Sequence, residues 1–416
     1  MALLIMSQIY ILFFGTYLLI QDYKLNDESS VLQVPFVKWI LIFNLYLVIL
    51  TIFHKTTFEI YNNAFFILHS SMFFFITLIY CDKYKWIKSC VKIALLFTGF
   101  IGILSIITTL LYLVTNTFLF DAISSESLKS TLLSFIPMGS GFLGLFNTSA
   151  TYAHLLVYSI YLLLFLLVYY KRTKLKYLFM FLIANDVFNL FISKEFIPIF
   201  VLITTSIIFV VLYIVLSKKY SYIKPTAIIL IVIAVSILVV GLFVVVMNCD
   251  FEFCKGLRTL LYGSYKTRSE VYEIWRAVFS LDKKYILFGA SDSQMYSLIK
   301  DIVPASVSSG FINNLGRYHN MFLAMLGNYG IFAMLGIIAL LAYSAITVIQ
   351  HYIHASYRRK RFELIFGVQL LAILLCGCFE EFPLFTQSLH ALLFMFTLSM
   401  LYGLTYMDKI RKSSNN

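Results

Sequence analysis

An all-α protein that crosses a membrane many times is the fold class this sequence predicts, and three observations carry it. Hydrophobic residues make up 61% of the 416, only 12% are charged, and the mean hydropathy is +0.89. A water-soluble domain needs about 25% charged residues to cover its surface. A soluble globular enzyme is therefore excluded, and the low charge excludes disorder and coiled coil as well. Apolar runs of about 20 residues recur along the chain, the length a helix needs to span hydrocarbon. Finally, the cations behind a net charge of +12 gather in short clusters between those runs.

Uncharged apolar runs predict helices over residues 2–20, 37–53, 61–80, 91–114, 151–169, 177–193, 196–216, 226–247, 321–349, 363–379 and 389–407. That makes about eleven spans, within a range of ten to twelve. The first run lacks the basic start and small-residue cleavage site of a signal peptide, so it counts as a span. The chain then divides into N-terminal transmembrane helices (1–114), an outer loop (115–150), central transmembrane helices (151–247), a large partly helical extracytoplasmic loop (248–320), and C-terminal transmembrane helices with a cytoplasmic tail (321–416).

Orientation follows from the cations. Clusters at Lys83–Lys92, Lys171–Lys176, Lys218–Lys224, Arg358–Arg361 and Lys409–Lys412, with Lys24 and Lys38, place 20 of the 32 Lys and Arg on one face of the eleven-span arrangement. Short basic loops stay on the cytoplasmic side. The C-terminus is thereby expected inside and the N-terminus outside. These clusters are topology signals; no zinc-finger spacing or RNA-binding signature points to nucleic acid.

The two long outer segments are where function is expected, because loops of that length in a compact chain are usually functional. Residues 248–320 carry nine Lys and Arg against seven acids, a basic balance that orientation does not require. An anionic ligand is the implication. Within Thr267-Arg268-Ser269-Glu270 the T-x-x-E pattern is a capping box, and Val271, Ile274, Val278 and Phe279 follow at helical spacing, so a helix is predicted from Thr267. Arg268 then falls in the first turn, where free N–H groups attract anions. Trp275 lies almost beneath it and Arg276 is turned by about 80°. A guanidinium, a helix N-terminus and an indole on nearly one face suit a phosphate attached to a sugar. The same features also suit an ordinary interfacial helix.

Lys194 stands between two apolar runs with almost no loop, ahead of Pro198, which is tolerated in a first helical turn. It is either a functional cation or the ion-pair partner of Glu195. Asp186, in Leu182-Ile183-Ala184-Asn185-Asp186-Val187-Phe188, is predicted buried with no role assigned. His319 lies where the large loop meets a membrane helix, a place where an imidazole can hold or accept a proton; packing is the alternative. Cys249 and Cys254 are spaced for a small disulfide loop, bonded or not, and no second Cys or His pair completes a metal site. No metal and no cofactor is expected.

In order, these features resemble the O-antigen polymerase and O-antigen ligase-like superfamily of bacterial surface polysaccharide assembly, over residues 140–385. Gly141–Leu156 resembles a stretch in which glycines, an aromatic residue and an Asn precede a membrane helix. The segment around Lys194 resembles a Ser-Arg helix entrance, with Lys in place of the more frequent Arg. Arg268, Trp275 and Gly289 match a large-loop motif of Arg, a Trp-bearing helix and a Gly turn. His319, Asn320, Gly327 and Gly330 match a His-Asn helix start, and Glu381, Phe382, Pro383 and Leu384 match a Glu-Tyr-Pro-Leu segment. The stretch at 139–145 lacks the Arg often found there.

The resemblance implies a GT-C-like fold and a metal-independent glycosyltransferase acting on the outer side. Its donor is an undecaprenyl-pyrophosphate-linked oligosaccharide and its partners are a glycan acceptor, membrane lipid and other polysaccharide assembly proteins. Polymerase is the leading expectation and ligase the alternative. Arg268 and His319 are the implied catalytic residues, with Lys194, Arg276, Trp275, Asn320 and Glu381 binding substrate. A flippase or other transporter is the rival from another class; it should show repeats or midplane charges, whereas the informative polar residues are expected outside the bilayer core. A non-catalytic assembly partner would have no reason to gather Arg268, His319 and Lys194 on one face.

Overall fold

The computed structural model describes residues 13–24, 35–54, 72, 74–78, 86–115, 149–193, 195–215, 276–277, 279–280, 283–290, 297, 320–354, 357–379 and 393–403. Among them every regular element is an α-helix. The principal ones are α1 (Pro35–His54), α2 (Trp86–Thr115), α3 (Ser149–Tyr169), α4 (Leu175–Ile192), α5 (Phe196–Val215), α6 (Lys283–Phe288), α7 (Met321–His354) and α8 (Tyr357–Phe379). Six helices among the described residues are long and apolar enough to cross a membrane: Cys90–Val114, Thr151–Tyr169, Leu175–Ile192, Phe196–Tyr213, Met321–Tyr343 and Lys360–Cys378. Each coincides with a run predicted from hydropathy. Val37–Leu50 and Leu393–Gly403 are shorter apolar helices at two further predicted positions, and the run at 226–247 lies outside the described residues.

The prolines sit where helices tolerate them. Pro35 opens α1 and Pro198 is the third residue of α5, both in first turns whose N–H groups lack intrahelical acceptors. Large apolar side chains remain uncovered on α2 and α4, among them Leu96, Leu110, Val114, Phe181 and Phe191. Apolar exposure on this scale belongs to a lipid-facing surface and not to a wetted one. The protein is a multi-pass membrane protein of all-α class.

The chain divides into two compact units: Tyr80–Val232 with Tyr352–Cys376, and Ala2–Ile79 with Ile233–His351 and Gly377–Asn416. In the first, α2, α3 and α4 pack on one another and α5 packs against α3 and α4. The centre is α3. From Tyr152 to Leu163 every residue is buried, three full turns with no exposed side, which marks a helix enclosed by its neighbours. Phe165 at its far end packs between Phe362 and Phe366 of α8, with ring centroids 5.2 and 5.0 Å away. A tight basic turn joins α3 to α4: Lys171, Arg172 and Lys174 are exposed there, and Thr173 donates from both its N–H and its hydroxyl to the Tyr170 carbonyl (both 2.9 Å).

In the second unit, α7 is broken. Gly330 has φ 81° and ψ 179°, so the element is a first segment ending near Tyr329 and a second beginning past the break. Gly336, in the second segment, faces the Phe43 ring of α1 so closely that a Cβ would strike it. Small residues let helices in a membrane approach.

Candidate functional site

Two polar or strained features stand out, one in each unit, and they differ in how far sequence reading anticipated them. In the second unit the feature is a backbone junction. Helix α6 ends at Gly289, whose N–H donates to the Tyr285 carbonyl (3.1 Å) and whose φ of 76° is the left-handed cap conformation that glycine adopts without strain. The next residue, Ala290, is fully buried and donates its N–H to the Gly327 carbonyl (2.8 Å). Gly327 lies within the last turn of the first α7 segment, where carbonyls lack intrahelical donors. The loop segment thus supplies a donor that the break at Gly330 takes away.

Both glycines are indispensable to that approach. A Cβ on Gly289 would come within 2.5 Å of the Asn328 carbonyl carbon, and one on Gly330 would overlap the Leu287 carbonyl oxygen. The Gly289 turn and the Gly327–Gly330 stretch of α7 are therefore in direct contact. Non-helical backbone in a membrane helix is tolerated where protein covers it, and α6 provides that cover.

Asn320 organises the start of α7. Its Oδ1 accepts from the N–H groups of Phe322 (2.8 Å) and Leu323 (3.1 Å), the N-cap arrangement, while its Nδ2 donates to the Cys378 carbonyl (2.8 Å) at the end of α8. Gly377 makes room, since its Cα faces the Met321 side chain at 3.0–3.3 Å from a would-be Cβ. The side chain expected to bind substrate is thus engaged in tying two helix ends together. Replacing Asn320 by Ala should lower stability by about 1 kcal/mol for the cap alone, with a further loss for the Cys378 carbonyl. Asn320→Asp keeps the cap acceptor and loses only the donor, so its melting temperature in detergent should fall between wild type and Asn320→Ala. Equal melting of all three would contradict this role.

Of the other expected site residues, Arg276 is helical and exposed, inside the predicted loop helix. Arg268, Trp275, His319, Lys194 and Glu381 lie outside the described residues, as do Cys249 and Cys254. The residues flanking Lys194 form the tight link expected there: Ser193 closes α4, its hydroxyl donating to the Leu190 carbonyl (2.7 Å), and α5 begins at Phe196.

The feature in the first unit lies within the long helices. Polar residues are not confined to the outer segments, for α4 buries Asn185, Asp186 and Asn189 while exposing Tyr177, Phe181, Phe188 and Phe191. Its polar stripe faces protein and its apolar face looks outward, the inverse of a soluble helix. The stripe meets α2. Asn185 Nδ2 donates to Ser105 Oγ (2.6 Å) and its Oδ1 accepts from Thr109 (2.8 Å). Asn189 Nδ2 reaches the Ser105 carbonyl and hydroxyl (both 3.0 Å) and Thr109 Oγ1 (2.7 Å). Asp186, fully buried, faces the hydroxyls of Ser105 on α2 and Ser159 on α3. Polar residues at 185, 189 and 193 recur every four positions in an apolar run, which is the signal from which this face could have been read.

Comparison with protein-family models, with curated proteins and with solved structures finds no match.

Proposed function

We propose that this chain is a membrane-embedded polymerase of lipid-linked oligosaccharide repeat units, with the GT-C-like fold that its motif order implies and the roughly eleven spans that its apolar runs predict. It transfers glycan from undecaprenyl pyrophosphate to an acceptor hydroxyl outside the cell membrane, with the C-terminus in the cytoplasm. The acceptor oxygen bonds to the anomeric carbon as the bond to the pyrophosphate oxygen breaks. His319 takes the hydroxyl proton. Arg268, with Lys194 and Arg276, stabilises the charge that builds on the departing pyrophosphate, and Trp275 and Glu381 hold sugar.

One observation carries the reading: the Gly289 junction with Gly327 and Gly330 joins the cationic loop to the helix that His319 precedes. The Asn320–Cys378 hydrogen bond supports it, since His319 immediately precedes Asn320 and Glu381 follows Cys378 by three residues. A ligase is the alternative within the same chemistry. The buried Asp186 stripe and the broken α7 favour a second reading, a flippase for the same lipid-linked glycan, because transporters place ionisable groups and interrupted helices inside the bilayer.

A deletion strain complemented with His319→Ala or Arg268→Ala is the test, read as a gel ladder of surface glycan. Both variants should insert normally and abolish chain growth; normal ladders in both would sink the assignment. In the deletion itself, single repeat units on the acceptor identify a polymerase, long chains stranded on the carrier lipid a ligase, and lipid-linked units trapped inside a flippase.

A further inference from the structure

Asp186 has a feature that neither glycan transfer nor helix packing uses. It lies about 9 Å along the axis from the C-terminal end of α4, completely buried, and among the described residues neither carboxylate oxygen accepts a hydrogen bond of bonding geometry. The Ser159 hydroxyl and the Asn189 side-chain oxygen, both buried, lack partners among the described residues as well. Ser105 Oγ accepts from two amide groups, Asn185 and Asn189, which leaves its own proton to point elsewhere, and it stands beside the Asp186 carboxyl.

A lone carboxylate in this position cannot stay charged and unaccompanied, because transfer of an unpaired ion out of water is prohibitive. Positive charge must accompany it. The titratable group that faces it is Tyr152 on α3, which offers a hydroxyl and no positive charge. Two residues further along α3, His154 is turned by about 200° to the other face of that helix. The face of α2 presents Ser105 and Thr108, and α5 carries no ionisable residue but Tyr213 at its far end. Lys176 on α4 and Lys92 on α2 are about 15 and 20 Å away along the helix axes.

We infer that Asp186, Ser105 and Ser159, with the side-chain oxygen of Asn189, form an intramembrane site for a monovalent cation, a proton or a sodium ion. The donor set is one carboxylate with hydroxyl and amide oxygens, which neutralises a single positive charge. Hard oxygen donors suit such an ion, and among the described residues no group of three His, Cys, Asp or Glu gathers to hold a divalent or transition metal. The ion joins α2, α3 and α4 at one point, and the site is independent of the residues assigned to glycan transfer.

Full-length protein in detergent, with N-methylglucamine replacing sodium at constant ionic strength, tests this in two arms. The first measures binding of isotopic sodium. Saturable binding at one ion per chain, lost in Asp186→Asn and weakened about tenfold in Ser159→Ala, identifies sodium as the ligand. The second records infrared difference spectra across a pH step. Absence of sodium binding, with a protonated-carboxyl band that vanishes in Asp186→Asn, identifies the proton. Monodisperse wild-type protein that neither binds sodium nor shows a protonated-carboxyl band overturns the inference, and this outcome does not depend on any variant folding.

Discussion

Gly330→Ala should eliminate monodisperse protein, or leave a form that melts far below wild type. The backbone at Gly330 is in the region of positive φ and extended ψ that only glycine occupies at low cost, worth about 1–3 kcal/mol in strain for any other residue. The added Cβ would also overlap the Leu287 carbonyl oxygen and lie 2.7 Å from the Phe288 nitrogen. These are backbone atoms, so no side-chain rotation relieves the overlap. The α6 segment would have to withdraw, and the Ala290–Gly327 hydrogen bond with it. Gly289→Ala should act in the same direction. Gly99 and Gly367 are internal controls, helical glycines at which a Cβ meets nothing within 4 Å. Alanine there should raise stability by about 0.5–1 kcal/mol. Thermal melts followed by size-exclusion chromatography separate the two classes, and similar melting of Gly330→Ala and Gly99→Ala would refute the junction.

Ser105→Val should be the most damaging single change in the α2–α4 contact. The valine has nearly the shape of serine plus a methyl group, yet it removes the acceptor of the Asn185 amide and one acceptor of Asn189. A buried donor left without a partner costs about 1–3 kcal/mol. Interhelical hydrogen bonds in membranes contribute about 0.6 kcal/mol on average; the expected loss is larger here because the orphaned Asn185 amide and the Ser105 position are both buried. Thr98→Val is the matched control, since among the described residues its hydroxyl bonds only the Ala94 carbonyl of its own helix (2.6 Å). It should lower the melting temperature by less than half as much. Equal effects of the two would show that the interhelical bonds contribute nothing beyond loss of a hydroxyl.

Sequence reading located the long helices because in a membrane the relevant pattern is the length of an uncharged run, and each of α2, α3, α4, α5, α7 and α8 contains one. It also found Gly289 as a turn and Gly327 with Gly330 as elements of a motif. That the two meet was not legible, since nothing in a sequence pairs Gly289 with a residue 41 positions later. The reading of Asn320 shows the same limit from the other side. Its place beside His319 suggested substrate, whereas the cap geometry and the Cys378 carbonyl engage its side chain. Asp186 was seen to be buried, and the four-residue recurrence of Asn185 and Asn189 was available to be read. Its meaning depended on Ser105 and Thr109, which lie 76 to 84 positions away on another helix.

The enclosure of α3 has a consequence for how the protein is made. Its hydrocarbon-rich run is apolar enough to leave the insertion machinery into lipid, yet Tyr152, Tyr158 and Tyr161 carry hydroxyls that lipid cannot satisfy. The Tyr161 hydroxyl finds its partner on Thr205 of α5 (2.5 Å), which is synthesised later. During synthesis the Tyr161 hydroxyl must therefore wait for α5 to close against α3. Truncations that stop after α3 should be degraded quickly in the cell, and those extended through α5 should persist.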